Sequence, residues 1–181
     1  SHTLVLLGDP GAGKSTVLRR LEMDVASDAL REPSQQTLTF FVSLAEYGHG
    51  DIPFKDLPTP FEWLSRKWAN QCPLLPDLDT LLHERRMLLL LDSLNEMPHT
   101  DRDDFERRAD LWRTFLYDYV RDRPGNRAVF ACRTLDYGAV LSSEPYPIPQ
   151  VRLEAMTREQ VRDYLDSYAP EHADLIWDSL R

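Results

Sequence analysis

Two rhythms of apolar and polar positions alternate along this chain. Short continuous apolar runs, the kind required by strands covered on both faces, occur at Thr3 to Leu7, Leu38 to Leu44, Met87 to Leu91 and Ala128 to Cys132, with a weaker one around Val151 to Leu153. Between them apolar residues recur at helical spacing: Val17, Leu18, Leu21 and Val25 from Ser15 to about Ala26, then Trp63, Leu64 and Trp68, then Phe105, Trp112, Phe115, Leu116 and Tyr119 from Asp101 to about Arg121. The alternation predicts an α/β chain with five strands, and neither a tandem repeat nor a low-complexity tract interrupts it.

Boundary residues sharpen these spans. Thr59, Pro60 and Glu62 form a capping box with Pro at the first helical position, opening a helix that should end near Cys72 and Pro73. Asp77 can cap a shorter helix, LDTLLHERR, and Pro124, Gly125 and Asn126 close the long one. The loop after the second strand, with Gly48, Gly50, Pro53 and Pro58, reads as long and irregular. Thr157 and Gln160 make a second capping box before REQVRDYLDSY, and Pro170 separates that helix from a last one holding Leu175, Ile176 and Leu180.

With 181 residues and 42% hydrophobic content, one main core is expected. No membrane span or signal peptide is read from the sequence, and a cytoplasmic location is expected. A net charge of −9 argues against a general nucleic-acid binder, because nonspecific affinity for phosphate backbones needs clustered cations. Cys72 and Cys132 lack metal or disulfide spacing and read as core thiols, and the histidines at 2, 49, 83, 99 and 172 are scattered.

Lysine is scarce in this arginine-rich chain, which makes Lys14, inside GDPGAGKST, conspicuous. Gly8, Gly13, Lys14 and Ser15 match G-x-x-x-x-G-K-[ST], and a predicted strand precedes and a helix follows the match. In such a loop glycines allow successive backbone N–H groups to turn inward around a polyphosphate at the positive end of a helix. The stretch Gly8, Asp9, Pro10, Gly11, Ala12, Gly13, Lys14, Ser15 and Thr16 is assigned to the nucleotide: Lys14 to the β and γ oxygens, Ser15 to Mg²⁺, and Thr16 to the α-phosphate. The competing reading is a plain strand-to-helix turn.

The second chemical element is MLLLLDSLNEMP. Asp92, after five apolar residues, sits where a buried strand can hold an oxygen ligand for nucleotide-bound Mg²⁺, the place of a Walker B acid. Glu96 is the candidate for orienting or deprotonating the attacking water, or else an ordinary acid at a helix start. Arg133, closing the fourth strand, can project into the crevice outside the strand ends and sense a γ-phosphate; its plainer reading is a surface arginine beside a carboxylate.

Taken in order, GDPGAGKST, LLLLDSLNEMP, VFACRT and VRLEAMTREQVRDYL resemble the NACHT domains of the STAND class of P-loop NTPases, over most of the chain. The resemblance implies a three-layer sandwich with a mainly parallel sheet, the arginine-bearing strand between those carrying Gly8 and Asp92, and the start of a helical subdomain. On this basis residues 1–155 are the NTPase core and 156–181 the truncated beginning of that subdomain. It further implies preference for ATP and ADP, slow Mg²⁺-dependent hydrolysis, and a signalling or defence switch that self-associates when ADP is exchanged for ATP. The fused effector, sensor and winged-helix segments of such proteins lie outside this sequence, which reads as an excised switch core. The family's paired acids are here Asn95 and Glu96, so the catalytic burden falls on Glu96 alone. Three other readings stand beside this one: a nucleotide-locked interaction module without significant turnover, a small-molecule kinase, and, more weakly, a hexameric AAA+ motor, where adjacent acids are expected after the strand instead of Asp92 and Ser93.

Overall fold

The computed structural model describes residues 2–32, 37–48 and 52–179. His49, Gly50 and Leu180, named above, lie outside these. Five strands, β1 (Thr3–Gly8), β2 (Leu38–Ser43), β3 (Met87–Asp92), β4 (Arg127–Arg133) and β5 (Gln150–Leu153), form one sheet in the order β2-β3-β4-β1-β5. Every pairing is parallel. The helices are α1 (Lys14–Arg31), α2 (Pro60–Gln71), α3 (Leu78–His83), α4 (Arg102–Phe115), α5 (Thr134–Tyr137), α6 (Arg158–Tyr168) and α7 (Ala173–Ser179).

The continuous apolar runs resolve into two faces once the two-residue period of a strand is imposed. Val5, Leu7, Leu89, Leu91 and Phe130 point to the face covered by α2, α3 and α4, while Leu6, Leu88, Leu90 and Ala131 point to the face where Leu18 of α1 packs. The result is three layers, helix, sheet and helix. Trp112 of α4 is fully buried at the centre of the thicker layer and meets Tyr47, Trp63 and Phe130 edge-on.

Both capping boxes form: Thr59 and Glu62, and Thr157 and Gln160, exchange side-chain and backbone hydrogen bonds. The Asp77 carboxylate accepts from the Thr80 N–H and opens α3. That helix stops at His83, before the predicted ERR, because Arg85 adopts a left-handed backbone with φ 60°. Helix α1 runs past Ala26 to Arg31, since SDALR contains no breaker; Leu30 there is exposed, as is Val17, which does not belong to the buried face. Leu44 leaves β2 for a 3-10 turn, Leu44–Glu46, and a second such turn, Phe54–Asp56, shapes the following loop. The long helix changes character at Leu116: residues Leu116–Arg121 wind as a π-helix. Of the apolar positions expected in α7, Leu175 is exposed.

Candidate functional site

All strands being parallel, their carboxyl ends share one edge, which brings Gly8, Ser43, Asp92, Arg133 and Leu153 together. The chain leaves β1 toward β2 through α1, and leaves β4 in the other direction toward β5, so the crevice outside β1 is a topological switch point. Gly8 is directly in register with Arg133 on one side and Leu153 on the other.

Residues 9–13 form the strand-to-helix connection at that point, between Gly8 at the end of β1 and Lys14, Ser15 and Thr16 in the first turn of α1. Gly11 and Gly13 have φ of 76° and 90°, a left-handed backbone that a Cβ would strain. Gly8 is constrained differently: a Cβ there would come within 3.2 Å of the Leu153 carbonyl and 3.3 Å of the Ala12 Cβ. Gly13 occupies the N-cap of α1 without any side-chain cap, which leaves the first-turn N–H groups of a long helix open to an anion. The Lys14 ammonium folds back over the loop and donates to the Gly8 and Asp9 carbonyls at 2.8 and 2.9 Å. Ser15 and Thr16 are exposed at the start of α1.

Asp92 is 7% exposed at the end of a strand buried along its whole length. One carboxylate oxygen accepts from the Ser93 N–H at 2.8 Å; among the described residues no donor reaches the other. Ser93 itself is left-handed, φ 59°, a backbone cost of the sort that gathers at functional sites. This kink leads into the 3-10 turn Leu94–Glu96, which presents two side chains to β4. The Asn95 Oδ1 accepts from the Arg133 N–H at 3.1 Å, and the Arg133 guanidinium donates to the Glu96 carboxylate at 3.2 Å.

The structure thus brings the glycine loop, Asp92, Glu96 and Arg133 to one edge of the sheet. The arginine has the carboxylate neighbour that its plainer reading called for, and the neighbour is Glu96. The contribution of Asn95 was not legible as geometry: an amide replaces an acid there and still provides the oxygen that fixes the end of β4. Cys132, the preceding residue, is buried, and burial together with the Asp136 carboxylate pushes its thiol up to about 12. Burial and the raised thiol both keep it from reacting as a thiolate.

Asp92 and the Ser15 hydroxyl suit Mg²⁺, which binds few protein oxygens and keeps the rest of its shell for water and phosphate. Among the described residues no cluster of three His, Cys, Asp or Glu forms a dedicated metal cage, and no helix is long and apolar enough to cross a membrane.

The model of the NACHT domain family matches residues 2–172. This chain belongs to the NACHT family. It is therefore a nucleotide-binding P-loop NTPase module, and the order β2-β3-β4-β1-β5 places the arginine-bearing strand between β1 and β3, as the resemblance implied. Among curated proteins none matches the sequence. The NACHT chain shares its fold with a chain of the E. coli MS115-1 HORMA:CdnC:Trip13 complex, at TM-score 0.56 and 16% identity, over 92% of this chain and 52% of that one. It also matches C. elegans PCH-2, at TM-score 0.52 and 15% identity, over 96% of this chain and 40% of that one. The chain thus spans about half or less of these neighbours' length.

Proposed function

We propose that this NACHT domain is an ATP- and ADP-binding, Mg²⁺-dependent switch that hydrolyses ATP slowly within a larger signalling or defence protein. One observation carries the reading: a glycine loop with open amides and a lysine, a buried strand-end aspartate, and a glutamate paired to a strand-end arginine share one sheet edge.

In this reading the N–H groups of Gly11 and of residues 13–16 hold the phosphates, while the Ala12 N–H donates to the Asp9 carbonyl at 3.1 Å and the left-handed Gly11 and Gly13 turn the loop inward. Lys14 exchanges its two carbonyl acceptors for β and γ oxygens, an anionic and so stronger pairing. Ser15 and Asp92 hold Mg²⁺, which when bound neutralises phosphate charge. Glu96 accepts a proton from the attacking water or orients it, and Arg133 meets the charge that develops on the γ-phosphate. Residues 156–181 are read as part of a helical subdomain, a boundary supported by α6 and α7 packing on each other, each with one buried apolar side chain, Leu165 and Ala173. Adenine preference, self-association in the full-length protein and a cytoplasmic location follow the family likeness.

The Glu96–Arg133 pair also favours a second reading, a nucleotide-locked module whose base stays occupied and whose turnover is negligible.

Calorimetry with ATP and ADP, with and without magnesium, tests the binding. The wild type should bind both, and Lys14→Ala should weaken them about a hundredfold, the loss of a charge-assisted contact to phosphate, while still melting cooperatively. Absence of heat at millimolar nucleotide, or unchanged affinity in Lys14→Ala, overturns the assignment.

A further inference from the structure

A cavity of about 600 Å³ opens at the opposite end of β1 from the glycine loop, beside Thr3. Its volume lies in the range of small-molecule sites, roughly 300 to 1,000 Å³. Leu116, Leu141 and Ile148 supply apolar walls, and Tyr117 and Tyr146 form a rim with ring centroids 5.9 Å apart. Both tyrosines are about two-fifths exposed, at 43% and 41%, so each keeps surface open to an occupant.

Arg121 makes this more than an apolar hollow. Its guanidinium lies 3.3 Å from the centre of the Tyr146 ring and 4.8 Å from that of Tyr117. Stacking occupies the faces of the cation and leaves its five N–H groups pointing outward in its plane, the geometry that pairs with a carboxylate or sulfonate. Among the described residues Arg121 has no carboxylate partner, and no carboxylate lines the cavity. The other arginine at the wall, Arg113, is already paired with Asp110.

The wall itself is irregular in a telling way. Tyr117 and Arg121 both belong to the π-helix Leu116–Arg121, closed by a hydrogen bond from the Asp122 N–H to the Tyr117 carbonyl at 3.1 Å. Such wide turns recur at functional sites. The facing wall, residues 141–148, is the return segment that links α5 to β5.

We propose that this cavity is a second ligand site, independent of the nucleotide, that takes a small planar aromatic anion. The rings and aliphatic walls hold the flat apolar body, and the stacked Arg121 guanidinium pairs with its single carboxylate or sulfonate.

Two probes with one scaffold test this: 1-anilinonaphthalene-8-sulfonate and N-phenyl-1-naphthylamine, which lacks the sulfonate. The sulfonate should bind saturably at one per chain, and ATP with magnesium should not displace it. Arg121→Gln should weaken the sulfonate about tenfold or more, as loss of a charge-assisted pair requires, and leave the neutral probe unchanged. Tyr146→Ala should weaken both. Both side chains are at the surface, and thermal melts of the variants verify folding. In the wild type, proton NMR should show contacts from the bound probe to the Leu141 and Ile148 methyls. Unsaturable binding, equal sulfonate affinity in Arg121→Gln, displacement by nucleotide, or probe contacts to other methyls each overturn the proposal.

Discussion

The Arg133 guanidinium donates to the Glu96 carboxylate at 3.2 Å, joining the end of β4 to the turn that follows β3. Both side chains are about half exposed, 45% and 48%, so the pair contributes little to folding, about 0 to 1 kcal/mol. A contact this weak can yield to a phosphate that attracts the arginine more strongly. On the proposed function, release of Glu96 would then accompany capture of the γ-phosphate and would tie water activation to the nucleotide being a triphosphate.

Glu96→Gln and Arg133→Gln should therefore each shift the melting temperature by only a few degrees, the size expected for a pair worth at most about 1 kcal/mol. Glu96→Gln should lower ATP turnover about a hundredfold, the usual contribution of a positioned base, and leave ATP affinity within a few-fold. The double variant should be no slower than the slower single one. Equal turnover in wild type and Glu96→Gln, measured by phosphate release, would favour the locked module.

Asn126 carries a structural load that its place in the turn signal Pro124, Gly125, Asn126 conceals. It is fully buried; its Oδ1 accepts from the Met87 N–H at 3.1 Å, and its Nδ2 donates to the Leu82 and Tyr119 carbonyls, each at 2.8 Å. One amide thereby satisfies backbone groups of α3, β3 and the π-helix. Asn126→Ala should cost about 3 kcal/mol, because a buried donor and acceptors lose their partners together. Urea unfolding monitored by tryptophan fluorescence checks this.

Much of this architecture is legible in the sequence because its signals are local. The apolar runs mark the strands, and Thr59, Asp77 and Thr157 mark helix starts to the residue, since each cap bonds to an amide three positions on. The GDPGAGKST loop is legible because its phosphate geometry demands particular residues at fixed spacing. The Glu96–Arg133 bond joins residues far apart in the chain, and no periodicity encodes such a pairing. The π-helix is hidden for a related reason: Leu116, Tyr119 and Val120 suit an α-helix equally well, and no local signal marks the change of winding. Arg85, which ends α3 by turning left-handed, gives no sign of it in an otherwise helical HERR.

Asp104 and Arg108 form a buried ion pair one turn apart in α4, with a 3.0 Å hydrogen bond and side chains only 4% and 6% exposed. Burial pushes the Asp104 carboxyl up, but the Thr100 N–H and the Arg108 guanidinium outweigh it and hold the group below its ordinary value. A depressed folded value means that this carboxylate stabilises the fold fully above its unfolded value, near pH 4, and that the contribution is lost as pH falls through the folded value. Asp104→Asn should cost about 3 kcal/mol at neutral pH by leaving Arg108 buried without its counter-charge. Its urea midpoint should also fall less than that of the wild type as pH is lowered from 5 through the depressed folded value of Asp104, the window set by this titration.

The two cysteines should differ sharply in reactivity although both thiols are free. Burial raises the Cys72 thiol above its ordinary value, yet that residue is only partly enclosed, whereas Cys132 is fully buried in β4 and pushed up to about 12. The thiolate is the reactive form, so at pH 8 Cys132 holds about one part in ten thousand of it and meets reagent only when β4 opens, far more slowly than Cys72. Native protein should react with a colorimetric disulfide reagent at one thiol per chain, Cys72, and Cys72→Ser should abolish that reaction. In urea both thiols should react at once, since unfolding returns Cys132 to its ordinary range and exposes it. Because Cys132 adjoins Arg133, its labelling rate in the native protein also reports opening of β4 at the site. Saturating nucleotide should slow that rate if Arg133 engages the phosphate.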